Sequence, residues 1–288
     1  MFKLAHISDW HIASQPRAAE LIGKRGLGFI NWHRKRKSVH RPDILAATVQ
    51  DLKASAPDHI AVTGDLVNLS LPDEYNRARG WLQTLGTPNN VTLVPGNHDV
   101  YVRGVIPSPA AYWGDYMRGD DGIDRFPFLR RRGNVALIGL STAVPTAPLL
   151  ATGRLGKAQL ARLLEMLDQT RGLFRVVLIH HPPVSKRHLR RLTDAKDLRD
   201  VLADKGAELL LHGHDHCRGV VWLEGQKKKT PSVGTPSASA RVPHGEENAA
   251  GYNIFHIDGS NGNWRCEMIA RERDASGAFR DEKRITLY

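Results

Sequence analysis

Val91-Thr92-Leu93-Val94-Pro95-Gly96-Asn97-His98-Asp99 sets the reading of the whole chain. Four residues with strand character run into Pro95-Gly96, a pair that cannot continue a ladder and marks a turn. Three polar side chains follow at once. The same layout recurs on both sides of this stretch. Phe2–Ser8 leads into Asp9-Trp10-His11, and His59–Thr63 into Gly64-Asp65-Leu66-Val67-Asn68. Leu178-Ile179 leads into His180-His181-Pro182-Pro183, and Leu209–Leu211 into His212-Gly213-His214-Asp215-His216. In α/β sheets ligands gather beyond the carboxyl ends of strands, so five such ends bearing Asp, Asn or His can meet at one place.

Between these runs lie segments with helical spacing. Asp43–Ala54 places Ile44, Leu45, Thr48 and Leu52 on one face, and Gly156–Arg171 does the same with Leu160, Leu163, Leu164 and Leu167. Helices are also expected over Asp73–Leu85 and near Asp194–Ala203, and strands over Val135–Leu140 and Phe174–Ile179. From residue 217 onward the pattern is short strands (Val220–Leu223, Thr230–Val233, Tyr252–Ile257, Trp264–Ile269 and Arg284–Leu287) divided by Gly, Asn and Asp turns. Alternating elements followed by strands predict an α/β fold with a β-rich C-terminal portion. With no repeat and no long linker, residues 1–288 read as a single domain.

Composition narrows the class. Of 288 residues, 41% are hydrophobic and 25% charged, which excludes a disordered or fibrous chain. The two cysteines, Cys217 and Cys266, cannot form a disulfide framework. The N-terminal run carries Asp9 and lacks a signal peptide's pattern, and the uncharged stretch 133–153 is too polar for a membrane span. The expectation is a cytoplasmic protein. Charge is unevenly placed: 41 Lys+Arg against 30 Asp+Glu give a net +11. Residues 15–41 alone hold eight cations against the single acid Glu20, or +7. Arg130–Arg132 reads as a solvated turn, and Lys186–Arg191 as either a surface helix or part of a substrate mouth.

The polar clusters suit hard and borderline cations. Carboxylates and an amide are oxygen ligands, and imidazole suits Zn, Fe, Mn or Co. Seven or so donors exceed what one four- to six-coordinate ion takes, whereas a pair of metals about 3.5–4 Å apart uses them all. Taken singly, each element reads as a turn or a buried histidine, and His180 and His181 are equally eligible. Their joint order is what distinguishes the chain.

Asp9-x-His11, Gly64-Asp65, Gly96-Asn97-His98-Asp99, His180-x-Pro182 and Gly213-His214-x-His216 resemble the five signature blocks of the calcineurin-like metallophosphoesterases. The cyclic-nucleotide phosphodiesterase branch is most similar, including Gly234-Thr235-Pro236-Ser237. The resemblance implies a four-layer αββα sandwich of two facing mixed sheets. It implies two metal ions (Mn, Fe, Zn, Co and Ni are not distinguished), with Asp9, His11 and His216 at the first, Asn97, His180 and His214 at the second, and Asp65 bridging. It also implies His98 beside the phosphate, with Asp99 orienting it by hydrogen bond. Asn68 is expected to bond near the site. His6 and His212 are expected as buried, hydrogen-bonded side chains and Cys217 as a buried thiol.

The implied activity is hydrolysis of phosphodiesters, of cyclic nucleotides or related small diesters. Three other readings remain. A lipid-linked nucleotide pyrophosphate hydrolase at a membrane surface is motivated by segment 15–41, where Leu21, Ile22, Leu27, Phe29, Ile30 and Trp32 interleave with the cations. A nuclease would use the net charge, although nucleic acid is not the expected partner, and a non-catalytic scaffold would have eroded ligand blocks. Segment 15–41 is expected over the metal cleft, as a packed loop, a contact with anionic lipid or a funnel for polyanions.

Overall fold

The computed structural model describes residues 1–104, 108–225, 228–243, 245–260 and 262–288. In chain order the strands are Phe2–Ile7 (β1), His59–Val62 (β2), Val91–Leu93 (β3), Phe128–Arg132 (β4), Val135–Gly139 (β5) and Phe174–Leu178 (β6). Leu209–His212 (β7), Gly219–Leu223 (β8), Thr230–Gly234 (β9), Gly251–Ser260 (β10), Asn263–Arg273 (β11) and Phe279–Thr286 (β12) follow. The helices are Lys24–Asn31 (α1), Pro42–Ala54 (α2), Pro72–Leu85 (α3), Pro109–Trp113 (α4), Lys157–Gln169 (α5) and Ala195–Lys205 (α6). Pro42, Pro72 and Pro109 each occupy a first helical position, where a missing N–H costs no hydrogen bond.

The strands form two six-stranded mixed sheets, ordered β12-β11-β10-β1-β2-β3 and β4-β5-β6-β7-β9-β8. Alternation within the strands explains the layers. Val135, Leu137, Val176, Leu178, Leu209 and Leu211 belong to one core with Leu4 and Phe255 of the facing sheet. Their neighbours Ile138, Val177, Ile179 and Leu210 point the other way, onto Leu163 and Leu167 of α5 and Leu198 and Leu202 of α6. Leu45 and Leu52 of α2 and Tyr75 and Leu82 of α3 cover the outer face of the first sheet. The result is the four-layer αββα arrangement.

Register aligns the site-bearing ends. Ile7 is level with Val62, and Val62 with Leu93, so β1, β2 and β3 deliver their next residues to one edge. Leu178 and Leu211 are level in the second sheet, and a bridge between Ser8 and Ser237 ties the two edges together.

Three expectations need correction. Arg130 is not in a solvated turn: it is a buried residue of β4, and its guanidinium donates to the carbonyls of Arg118, Pro88, Val91 and Asp115. Of the two readings of Lys186–Arg191, the surface helix is replaced by turns and bends, while Arg190 lines a pocket at the strand ends as the other reading expects. The C-terminal hairpin is longer than its apolar residues suggest, because Arg280–Lys283 are exposed on the edge strand β12, where charge discourages pairing with another chain.

Candidate metal centre

The nine expected site residues are drawn from both sheets, and the backbone around them is unusual. Asp9, His11, Asp65, His214 and His216 all have positive φ, between 48° and 71°. These are five of the eight non-glycine residues with positive φ among the described residues. Such conformations cost energy and persist where the surroundings enforce them, commonly at functional sites. Two glycines allow the close approach: a Cβ on Gly96 would lie 2.2 Å from Asp65 Oδ1, and one on Gly213 2.3 Å from Asp9 Oδ2.

The imidazoles and carboxylates gather in overlapping groups. Asp9 Oδ1 lies 3.2 Å from His216 Nε2 and 3.7 Å from His11 Nε2, and those two nitrogens are 2.9 Å apart. Asp65 Oδ2 lies 3.3 Å from His180 Nε2, which is 3.2 Å from His214 Nδ1. Three of the four rings are oriented from behind, whereas His11 Nδ1 has no partner among the described residues. His180 Nδ1 donates to the Thr63 carbonyl at 2.6 Å, His214 Nε2 to the Arg190 carbonyl at 2.9 Å and His216 Nδ1 to Glu247 Oε2 at 3.0 Å. Partners of this kind fix the tautomer and aim the other nitrogen of a metal-ligating histidine. His181 is turned away, with its ring nitrogens on Thr142 Oγ1 and the Ala151 carbonyl.

Asp9 Oδ1 and Asn97 Oδ1 are among the buried side-chain acceptors that have no hydrogen-bond donor in the described residues, a group that also includes Glu74 Oε1, Asp215 Oδ1 and Asn253 Oδ1. A buried acceptor left alone is costly, so Asp9 Oδ1 and Asn97 Oδ1 fit a cation better than they fit empty protein. This, together with a donor set of imidazoles, carboxylates and one amide, fits a pair of divalent cations. Electrostatics agree. Burial pushes the Asp65 carboxyl up, but the neighbouring His180 and His98 outweigh it and hold the group well below the usual carboxylate range. Burial lowers His180 and His216, yet the carboxylates of Asp65 and Asp9 raise each to about 9.

His98 sits in the same pocket, but its partner is not Asp99. His98 Nδ1 donates to the Asn68 carbonyl at 2.6 Å, and its ring stacks on Tyr101 with centroids 5.3 Å apart. Asp99 instead accepts the backbone N–H groups of Asp65 (2.9 Å), Leu66 (2.9 Å), Val67 (3.2 Å) and Gly96 (2.8 Å). It braces the two turns that carry Asp65 and Asn97. Burial and the neighbouring Asp65 charge push the Asp99 carboxyl up to about 7 against the pull of these donors, and the expected hydrogen bond to His98 is replaced by backbone support.

Segment 15–41 lies over this pocket, which has a volume of about 280 Å3. Lys24, Leu27, Gly28, Asn31 and Arg36 form one side of it. Arg36 Nη1 donates to His98 Nε2 at 3.1 Å. Burial pushes His98 down to about 4 against the pull of Asp65, and Arg36 adds to the lowering. The same segment brings His40 within 4.5 Å of His11, ring centre to ring centre. Arg36, His40, Tyr101 and Glu247 are not singled out by the sequence, whereas Arg190, which lines the pocket, lies in the segment read as part of a substrate mouth. The first two were legible only as part of the basic run, and Glu247 gave no signal. Cys217 is a half-buried thiol, pushed up to about 11 by burial and not a nucleophile here.

Comparisons with known proteins fit this geometry. A "probable cyclic nucleotide phosphodiesterase" of Synechococcus is 26% identical over 274 residues, covering 92% of this chain and 91% of that protein. A cAMP/cGMP dual specificity phosphodiesterase of Mycobacterium tuberculosis is 25% identical over 274 residues, covering 89% and 76%. A glycerophosphodiester phosphodiesterase of Enterobacter lignolyticus is 36% identical over 96 residues, only 33% of this chain and 29% of that protein. Among solved structures, a dimetal phosphatase from Danio rerio shares the fold with a TM-score of 0.65 at 14% identity, covering 99% and 98% of the two chains. No helix among the described residues is long and apolar enough to cross a membrane. The calcineurin-like phosphoesterase family matches residues 2–218, the span that contains every strand end described above, and the chain therefore belongs to that family of metal-dependent phosphoric ester hydrolases.

Proposed function

We propose that the protein hydrolyses phosphodiester bonds, with Asp9, His11 and His216 holding one divalent cation, Asn97, His180 and His214 a second, and Asp65 between them. The observation that carries this reading is the gathering, at aligned strand ends, of Asp9 with His11 and His216 and of Asp65 with His180 and His214, beside the unpartnered buried oxygens Asp9 Oδ1 and Asn97 Oδ1. Bound cations would supply a nucleophilic water at neutral pH and neutralise phosphate oxygens. The chain's own residues do the rest. Because His98 Nδ1–H is committed to Asn68, any proton that His98 passes is carried on Nε2, the atom facing Arg36. A diester at that spot takes the place of Arg36 as the partner of Nε2, and its negative charge favours the protonated ring, which can then donate to the leaving oxygen. Asp99 keeps the two ligand turns in register.

The substrate is a small phosphodiester, and the names of the Synechococcus and Mycobacterium relatives support a cyclic nucleotide. A second reading, action on a lipid-linked phosphate at a membrane surface, is favoured by Ile22, Leu27 and Ile30. These are 78%, 54% and 49% exposed on the segment over the pocket, beside exposed Arg34 and Lys37. After reconstitution with Mn2+, the wild-type chain should hydrolyse bis(p-nitrophenyl) phosphate, and Asn97→Ala should not. Undiminished activity in that variant would reject the assignment, and dependence of the natural reaction on liposomes would select the second reading.

A further inference from the structure

A second cavity, about 750 Å3, lies on the other side of the basic segment and reaches the same metal cluster. His11 and His40 are part of its wall. Trp10, Trp32 and Trp81 contribute three indoles and Ile12, Pro42 and Leu45 aliphatic surface, while Lys37, Arg41 and Arg77 add three cations to the wall. Trp32 and Lys37 come from the basic segment, whose Asn31 and Arg36 line the first pocket, so one short stretch of chain separates the two spaces. Lys37 has no carboxylate partner among the described residues and lies 5.8 Å from the centre of the Trp32 ring.

Gly80 explains why the groove is open. It lies inside α3, where Ala would be favoured by about 1 kcal/mol. A Cβ there would meet nothing within 4 Å, so no close neighbour requires a glycine. Gly80 and its helical neighbours Arg77, Trp81 and Thr84, spaced on one face, form the groove wall. Gly80 is exposed at the edge of this wall, so a larger side chain there would narrow the cavity mouth.

The wall chemistry selects the ligand. None of the lining side chains is Asp, Glu, Asn or Gln, so side-chain acceptors for a nucleobase edge are confined to Thr84 and the two imidazoles. The volume lies in the range of ordinary ligand sites; the indoles and aliphatic side chains suit hydrocarbon, and the cations suit an anionic head. We propose that this groove holds the hydrocarbon chain, acyl or prenyl, of an amphiphilic phosphate ester whose phosphate reaches the metal cluster past His11 and His40. The substrate class named here rests on the phosphodiesterase reading, whereas binding of the chain itself does not.

The test is a fluorescence titration of the full chain with dodecyl phosphate and, in parallel, farnesyl phosphate, both kept below micelle-forming concentrations. The groove holds three of the six tryptophans, so a saturable change in indole emission is expected with at least one probe. Gly80→Ala should bind as the wild type does, and Gly80→Leu should bind about tenfold or more weakly because the added side chain narrows the cavity mouth. Thermal melting of both variants checks that each is folded. Absence of a saturable change in the wild type, or equal binding by folded Gly80→Leu, would overturn the proposal. So would adenosine monophosphate binding that Gly80→Leu blocks while both amphiphiles fail to bind. Hydrolysis of bis(p-nitrophenyl) phosphate by the metal-loaded wild type is read separately: its absence alongside intact, Gly80→Leu-sensitive amphiphile binding removes the phosphodiesterase reading and leaves the groove assignment standing.

Discussion

The two ends of β6 and β7 treat buried charge in opposite ways. At the start of these strands Arg175 and Glu208 are both buried and fully matched. Arg175 Nε and Nη2 donate to the carboxylate at 2.8 and 3.1 Å, the Arg175 backbone N–H adds a third bond at 2.8 Å, and Nη1 is taken up by the Leu167 and Lys205 carbonyls. A few residues further along the same strands come His180 and His214, where imidazoles face each other and acceptors nearby go unmatched. One end is finished by the protein's own groups. The other is complete only with cations, and it also collects the positive-φ residues. Buried charge alone therefore does not mark a functional site; here it is the convergence of several imidazoles and carboxylates on strained turns that does.

The contrast can be broken by substitution. At the metal end, Asp65→Ala removes the carboxylate shared by both groups, and turnover of a diester should fall by about a thousandfold or more. The melting temperature should change less than at the opposite end. There, Glu208→Ala leaves Arg175 buried and unpaired and should cost about 3–5 kcal/mol of stability. The folded fraction of that variant should keep its metal and its turnover, checked by denaturant unfolding and elemental analysis. Glu247→Gln tests the supporting shell: weakening the 3.0 Å bond to His216 should lower metal affinity or activity by about 10–100-fold with little change in unfolding.

The smallest effect is a pH trend. Burial raises the Glu208 carboxyl, but its hydrogen bonds and charge pairing with Arg175 outweigh this and hold it below its ordinary value. A depressed folded pKa means that the unfolded chain binds more protons in that window. The stability contributed by Glu208 is thus complete above the ordinary glutamate range and drains away as pH falls through the folded pKa. Melting curves of Glu208→Gln should be flatter with pH in acid than those of the wild type. A parallel dependence would show that the pair is not the cause.

How much could be read from sequence follows from the same physics. The strand ends were legible because buried parallel strands are apolar runs, as in Leu209–Leu211, and a polar block after such a run stands out. The resemblance of the five blocks then supplied the four-layer fold, which periodicity alone did not give. Arg130 was misread because a cationic triplet looks solvated, and nothing local reveals four carbonyls waiting in other turns. Asp99 was expected on His98, yet the turns of Gly64 and Gly96 present it with four N–H donors, an arrangement visible only once the chain is folded. Segment 15–41 was legible as basic and as a neighbour of Asp9 and His11, but not as the divider between two cavities. Trp81 and Gly80, which complete the second cavity, come from a helix some forty residues away.

The central claim is that the histidine and carboxylate groups at the strand ends hold two cations. Elemental analysis of purified chain after reconstitution and desalting measures this without reference to any substrate. The account predicts two metal ions per wild-type chain and one or fewer in folded Asp65→Ala. A wild-type chain that retains none, or an Asp65→Ala chain that retains as many as the wild type, would contradict it.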